Sequence, residues 1–199
     1  CAKEVKSEQE VYFNDFETNK ANGIANAIVE NYNGSKVLGR YNSSGFDLNL
    51  SSLPNHKLVE ISFDLYIHDS WDGNKVSGGV DGPDIWKFIV DGNLYINTTF
   101  SNSDCDNSGF CPPQSYPADY PSSYNNPKTG SANPNLPGVC NLSGKVGGTS
   151  LYKITKVIEH SKSTLLMQCR DQLIQTNTSD AKCDESWSVD NIRIKVINL

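Results

Sequence analysis

Residues 58–67, with the sequence LVEISFDLYI, decide the fold class, because apolar and polar side chains alternate along the stretch. In an extended chain, successive side chains point to opposite faces. One face would then carry the apolar set, namely Val59, Ile61, Phe63, Leu65 and Ile67. A period of two predicts a β-strand that packs one face on a core.

Strand character recurs on both sides of this stretch. Further candidate strands are residues 11–16, 45–50, 85–90, 94–100, 151–158, 164–174 and 189–197. The segment Asp91-Gly92-Asn93 joins two of them and predicts a β-hairpin. Residues 19–31 could form a turn or two of helix, which Gly23 weakens. This pattern predicts an all-β fold, a two-sheet antiparallel jelly-roll sandwich.

A long loop interrupts the strands at about residues 101–149. Seven of the nine prolines lie there, together with many Ser and Asn residues. A loop of this length inside a compact domain is functional or held down by cross-links, and its cysteines indicate a disulfide-stapled loop. We predict an N-terminal tether at residues 1–10 and a single β-sandwich domain at 11–199.

Composition excludes several classes of function. The 199 residues carry 17 Lys and Arg against 23 Asp and Glu, a formal net charge of −6. No cluster of basic residues exists, so we expect no nucleic-acid partner. No run of 18 apolar residues exists, so we expect no transmembrane segment.

Cysteine usage indicates an oxidising compartment, extracellular or at the cell surface. The six cysteines are Cys1, Cys105, Cys111, Cys140, Cys169 and Cys183, and no CxxC pair occurs. Local spacing predicts disulfides Cys105–Cys111 and Cys169–Cys183, which leaves Cys1 and Cys140 to pair with each other. Alternatively, Cys1 and the polar stretch after it look like the lipid-anchored start of a processed bacterial lipoprotein.

Glycosylation sequons are compatible with secretion. N-x-S/T occurs at six positions, Asn33, Asn42, Asn49, Asn97, Asn141 and Asn177. Asparagine is abundant in this chain, so chance alone supplies several of them.

Acidic residues suggest a metal site between two strands. The glycine-rich loop after residue 67 contains Asp69, Asp72, Asp81 and Asp84. Calcium requires six to eight oxygen ligands on a flexible backbone, which such a loop supplies. We predict Asp69, Asp72 and Asp84 as calcium ligands. The alternative is a polar turn in which Asp and Gly satisfy turn geometry.

The two ends of the chain carry a recognisable pattern. Phe13-Asn14-Asp15-Phe16-Glu17 begins the first strand, and Trp187-Ser188-Val189-Asp190-Asn191-Ile192 begins the last. Ser70-Trp71-Asp72 and Glu185-Ser186-Trp187 form a paired motif. These stretches resemble extracellular jelly-roll modules, namely MAM domains, reelin-type repeats and carbohydrate-binding modules.

The resemblance implies adjacent first and last strands with a structural calcium ion held by Glu17 and Asp190, helped by Asp15. Two carboxylates close together repel each other unless a cation or a proton intervenes. The alternative is that Asp190 caps a turn and Glu17 is solvated. The resemblance also implies a glycan or glycoprotein ligand.

Three tyrosines recur every four residues in the long loop, at Tyr116, Tyr120 and Tyr124. Exposed on a rigid loop, they would stack on sugar rings or bury into a partner protein. Alternatively, they lie flat and cover apolar sheet.

Taken together, the residues favour a non-catalytic, calcium-stabilised module that binds glycan or glycoprotein. The alternative is a structural subunit that assembles with copies of itself, for example by adding residues 11–16 to a neighbour's sheet. A third hypothesis is a glycoside-active enzyme, although no GxSxG or HExxH motif occurs.

Overall fold

The computed structural model describes residues 5–105 and 109–199, which form an almost entirely β structure. Twelve strands and one short helix occur in this described part: β1 Ser7–Asn14, β2 Ile24–Ala25, β3 Val29–Tyr32, β4 Ser35–Tyr41, β5 Gly45–Leu50, β6 Leu58–Asp69, β7 Ile85–Val90, β8 Asn93–Thr99, β9 Asn133–Pro137, β10 Val146–Glu159, β11 Leu165–Gln172, α1 Ala181–Asp184 and β12 Glu185–Asn198.

The strands form two antiparallel sheets. One sheet has the order β3-β4-β12-β6-β10-β9, with β1 also paired to β12, and the other has the order β2-β5-β11-β7-β8. The quartets β4-β12-β6-β10 and β5-β11-β7-β8 give the order of a jelly roll, in which the chain passes repeatedly from one sheet to the other. The predicted all-β jelly-roll sandwich is therefore confirmed.

Alternating side chains fill the space between the sheets. The apolar face of β6 is buried along its whole length, as predicted from residues 58–67. Trp71, Trp86 and Trp187 are fully buried, and the rings of Trp86 and Trp187 lie 5.9 Å apart in an edge-on arrangement. The indole N–H of Trp187 donates to Asp171 Oδ2 at 2.6 Å, so this core position retains a hydrogen bond.

The hairpin of β3 and β4 was not predicted from the sequence. The two strands pair from Val29↔Leu38 to Tyr32↔Ser35. Asn33 and Gly34 form the turn with φ of 48° and 85°. Asn-Gly is a strong hairpin signal, because both central residues of such a turn need a positive φ. The helical turn considered for residues 19–31 is replaced by β2 and β3.

The first strand is longer than predicted. Strand β1 begins at Ser7 rather than at residue 11, so residues 7–10 of the predicted tether belong to the sheet. The strand pairs antiparallel with β12, from Ser7↔Asn198 to Asn14↔Ile192. Residues 11–14 of the predicted first strand therefore pair within their own sheet in this structure.

The long loop also contains regular structure. Strand β9 lies inside residues 101–149 and pairs with β10, which itself begins at Val146. Pairing of Gln114 with Asn125 holds the proline-rich part together. Prolines interrupt the alternating pattern from which strands are predicted, so these pairings could not be predicted from the sequence.

Two disulfides occur among the described residues. Cys105–Cys111 forms as predicted, but Cys183 bonds to Cys140 and not to Cys169. Cys169 is a free, buried thiol. Its position on β11 places it on the inner face of the sheet with Leu165 and Met167, so its side chain points into the core.

The predicted pairing of Cys140 with Cys1 is accordingly wrong. Cys1 lies outside the described residues, so its lipidation stays a prediction. No helix of the described part is long and apolar enough to cross a membrane.

Candidate cation and ligand site

Four carboxylates meet at one end of the sandwich, and we name Asp72, Asp81, Asp84 and Glu185 the acidic cluster. The three aspartates lie in the connection between β6 and β7, and Glu185 is the first residue of β12. Oxygen atoms of Asp72, Asp81 and Glu185 all lie within 4.8 Å of one another. Asp84 joins this group because its Oδ2 accepts the backbone N–H of Asp72.

Backbone pairing brings these distant residues together. Strands β12 and β6 are neighbours, with Glu185 opposite Asp69 at the end of β6. Asp81 forms a bridge with Gln175, which lies in the connection before β12. The connection turns tightly at Gly82, where φ is 58° and an added Cβ would meet the Lys75 carbonyl oxygen at 2.1 Å. Only glycine fits this close backbone approach.

Several oxygen atoms of the site lack hydrogen-bond donors. In the described part of the chain, Asp81 Oδ1, Asp84 Oδ1, Gln175 Oε1 and Glu185 Oε2 are buried without a partner. Asp84 and Glu185 are fully buried, and Asp81 is 5% exposed. A buried polar atom without a partner is costly, and a buried carboxylate is more so.

Burial and mutual repulsion raise the pKa values of the carboxyl groups in the cluster. Burial, reinforced by the charges of Asp84 and Asp72, raises the pKa of Glu185 to about 11. Burial also raises the pKa of Asp72 to about 6, and that of Asp84 well above its usual range. Without a cation, the cluster must therefore take up protons near neutral pH.

Lys75 supplies part of the missing positive charge. Its ammonium group contacts Asp72 Oδ2 at 3.1 Å and also Asp81 Oδ2. Its side chain is one-third exposed, and the ammonium group lies 4.7 Å from the centre of the Phe110 ring. One ammonium group cannot neutralise four carboxylates.

A cavity of about 180 Å³ opens beside the cluster and shares Asp72 with it. Its walls combine polar groups with two aromatic side chains, and they are formed by Ser70, Trp71, Asp72, Asn102, Ser103, Asp104, Phe110, Leu142 and Lys145. Phe110 is 42% exposed. Its mixture of polar groups and apolar surface is that of a small-molecule site, although its volume is below the roughly 300–1,000 Å³ of pockets for drug-sized ligands.

The sequence placed only part of this site. Asp72 and Asp84 are in the acidic cluster, whereas the Asp69 carboxylate accepts backbone N–H groups of Val139, Cys140 and Leu142. Asp69 thereby fixes the long loop. Glu185 was not predicted as a ligand, although the paired motif contained the signal.

The two halves of the paired motif, residues 70–72 and 185–187, are in contact. The indole N–H of Trp71 donates to the carbonyl of Ser186 at 2.9 Å. This contact holds Asp72 and Glu185, which neighbour these two residues in sequence, at the same end of the sandwich.

The second predicted metal set lies where β1 ends and β12 passes. The Glu17 Oε1 atom accepts the Lys36 N–H at 2.8 Å and the Ser35 hydroxyl, and these bonds lower the Glu17 pKa. Burial raises the pKa of Asp190 to about 6, with smaller contributions from Asp64, Glu17 and Asp15. Within the described residues, this set does not form a three-ligand group as compact as the acidic cluster.

The three tyrosines of the long loop have different environments. The Tyr116 ring packs on Phe100 at 4.9 Å and on Tyr152 at 5.1 Å, so it covers the core. Tyr120 is half-buried, and Tyr124 is 75% exposed. Tyr124 is the one of the three that offers most of its surface to a ligand.

The predicted sequons also differ in their environments. Asn33, Asn49, Asn141 and Asn177 are exposed, whereas Asn42 and Asn97 are half-buried. The Asn42 side-chain nitrogen donates to the Glu185 carbonyl at 2.8 Å, and that bond leaves little room for a glycan on this atom.

Comparison with known proteins gives structural similarity alone. No protein-family model and no curated protein matches the chain. Among solved structures, it is similar to a family 35 carbohydrate-binding module from Clostridium thermocellum, with 12% identity, a TM-score of 0.40, and coverage of 94% of this chain and 97% of the other.

Two further solved structures are similar over nearly the whole chain. The xylan-binding CBM22-2 domain of Paenibacillus barcinonensis Xyn10C has 13% identity and a TM-score of 0.42, covering 93% of this chain and 98% of that one. The CBM6cm-2 module of Cellvibrio mixtus lichenase 5A, in complex with cellotriose, has 11% identity and a TM-score of 0.35, covering 96% and 97%. The carbohydrate-binding modules named from the sequence thus occur among the structural neighbours of this chain.

Proposed function

We propose that this chain is a non-catalytic, extracellular or cell-surface module that binds glycan and is stabilised by calcium at the acidic cluster. The observation that carries the proposal is the set of buried oxygen atoms without donors on Asp81, Asp84 and Glu185. A cation held by Asp72, Asp81 and Glu185 would supply the positive charge that these buried carboxylates lack.

Calcium fits this set better than other common metals. Ca²⁺ prefers oxygen ligands at roughly 2.3–2.6 Å, so ligands on opposite sides of the ion lie about 4.6–5.2 Å apart. Asp72, Asp81 and Glu185 each offer an oxygen atom, and these atoms lie within 4.8 Å of one another, so all three can contact one ion. Mg²⁺ requires shorter distances and retains several waters. Zn²⁺ favours His and Cys ligands, which the acidic cluster lacks.

The cavity beside the cluster suits a sugar unit. A sugar ring presents C–H groups that pack on an aromatic face, and Phe110 offers one. Its hydroxyl groups would bond to polar wall groups such as Ser103 and Asp104. Because Asp72 belongs both to the cavity and to the acidic cluster, calcium binding would also fix one wall of the ligand site.

A glycan array on the disulfide-intact protein tests this function, run in millimolar calcium and again in chelator. We expect selective binding in calcium and loss of binding in chelator. Phe110→Ala should remove binding, whereas the matched control Tyr124→Ala should leave it intact, because Tyr124 does not line the cavity. If the wild type binds no glycan in either buffer, the glycan proposal is rejected. Retained binding by Phe110→Ala would reject this cavity as the site.

Calorimetric titration with calcium tests the metal separately. The wild type should bind calcium at the acidic cluster, and Glu185→Gln should lose that binding. Glu17→Gln is the control, because it removes the charge of the second predicted set and leaves the acidic cluster unchanged. If Glu17→Gln loses the ion and Glu185→Gln retains it, calcium is held by Glu17 and Asp190 instead.

A further inference from the structure

A groove of about 800 Å³ lies at the end of the sandwich opposite the acidic cluster. Strand β6 begins with Leu58 in this groove and ends with Asp69 at the other end of the sandwich. At about 3.3 Å per residue, the two sites are separated by roughly 35 Å. The volume lies within the usual range for ligand sites.

The floor of the groove is apolar and partly aromatic. Leu58 contributes half-buried aliphatic surface above the buried Val90 and Ile158, and Tyr95 contributes a half-buried ring. The Tyr95 ring packs against Phe88 of the core with centroids 6.4 Å apart, which fixes its orientation. A rigid ring beside aliphatic side chains is a surface on which the C–H face of a sugar can pack.

The rim is basic, although the whole chain has a net charge of −6. Lys6, Lys57 and Lys162 line the groove, against the carboxylates of Asp91 and Glu159. Asp91 is already engaged, because its oxygens accept the Lys162 ammonium group at 3.0 Å and the Leu166 N–H at 2.9 Å.

Two of these ammonium groups are available to a ligand. Among the residues that the structure describes, neither Lys6 nor Lys57 forms an ion pair with a carboxylate. The third lysine of the rim, Lys162, is paired with Asp91 at 3.0 Å. Lys6 and Lys57 thus place two ammonium groups beside the groove, against the single remaining side-chain carboxylate of Glu159.

We propose that this groove binds an anionic oligosaccharide, whose acidic groups meet Lys6 and Lys57 while a sugar ring packs on Tyr95. Both uronic-acid carboxylates and sulfate esters supply the required charge. This site is independent of calcium and of the cavity at the other end, so it does not depend on the proposed function.

The test is calorimetric titration with oligogalacturonate, a sulfated oligosaccharide, a neutral cello-oligosaccharide of equal length and poly-glutamate. We expect binding of an acidic sugar, weaker at high salt, and no binding of the neutral one. The two acidic sugars distinguish carboxylate from sulfate. Equal binding of the neutral sugar, or equal binding of poly-glutamate, would overturn the proposal, as would no binding of either acidic sugar.

Two variants, one that removes a positive charge and one that removes a negative charge, test whether the ligand is anionic. At low salt, Lys57→Met should weaken binding about fivefold, and Glu159→Gln should strengthen it by a similar factor, because one charge near the ligand is removed in each case. Lys153→Met is the control for loss of a lysine away from the groove, on the outer face of the first sheet, and should have no effect. Binding should persist in chelator and in Glu185→Gln, whatever the outcome at the acidic cluster. If Lys57→Met and Lys153→Met have equal effects, the ligand does not occupy this groove.

Discussion

Replacing Glu185 by glutamine should remove the calcium-dependent part of the stability and leave the ion-free protein nearly unchanged. Glu185 is fully buried, and its Oε2 atom has no donor in the described part of the chain. Burial and the neighbouring aspartates raise its pKa to about 11, so in chelator the folded protein holds a neutral carboxyl here. A neutral amide of the same shape should therefore change the free energy of unfolding by about 1 kcal/mol or less.

The contribution of calcium binding to the free energy of unfolding is larger than this effect of the substitution itself. At a free calcium concentration about a hundred times Kd, binding to the folded state adds about 2.7 kcal/mol. For a chain of this length, each kcal/mol raises Tm by about 2–4 °C, so the wild type should gain about 5–10 °C. The amide that replaces the Glu185 carboxylate carries no charge and therefore binds the ion much more weakly, so we expect a gain of about 2 °C or less.

Differential scanning calorimetry in chelator and in excess calcium measures both quantities. The control is Glu17→Gln, which should keep the full calcium-dependent rise in Tm. An equal rise in Glu185→Gln and in the wild type would refute the assignment of calcium to the acidic cluster. A fall of Tm by more than about 10 °C in chelator would refute the argument that Glu185 is neutral there.

Three further predictions follow from the same structure. In chelator, Tm should fall as pH rises from about 5 to about 8, because the raised pKa values of the acidic cluster mean that folding takes up protons. Excess calcium should remove this fall. A rise of Tm with pH in chelator would contradict the reasoning. In calcium titrations, Lys75→Met should raise the affinity roughly fivefold, because the ion no longer competes with an ammonium group; unchanged affinity would mean that the ion lies elsewhere. In urea unfolding, loss of the Cys140–Cys183 disulfide should cost about 4 kcal/mol and loss of Cys105–Cys111 about 2 kcal/mol, since the closed loops span 43 and 6 residues; equal losses would contradict the chain-entropy argument.

The disulfide pattern shows where local sequence evidence fails. Cys105 and Cys111 are close in sequence, and proximity alone predicted their bond. Cys169 belongs to an alternating buried set on β11, and that alternation was a signal that its side chain points into the core. Cys183 instead meets Cys140, because Asp69 and neighbouring groups bring the long loop to this end of the sandwich.

The acidic cluster likewise contains residues that the sequence predicted and one that it did not. Asp72 and Asp84 could be proposed from one loop of the sequence, because calcium sites combine Asp with glycine-rich backbone. Glu185 lies more than a hundred residues further along the chain, and its role depends on the pairing of β12 with β6. Asp69 has the same composition-based signal as Asp72, yet its carboxylate binds backbone N–H groups instead.

The sequence by itself determined the β-sandwich and its central strand, because alternation of apolar side chains is a local property that each strand carries independently. It also indicated the Asp91-Gly92 hairpin, since turn geometry depends on adjacent residues. Only the tertiary structure decided which carboxylates meet, which cysteines bond and which lysines surround a groove. Those outcomes depend on pairings between strands far apart in the chain, and no local pattern specifies which strands become neighbours.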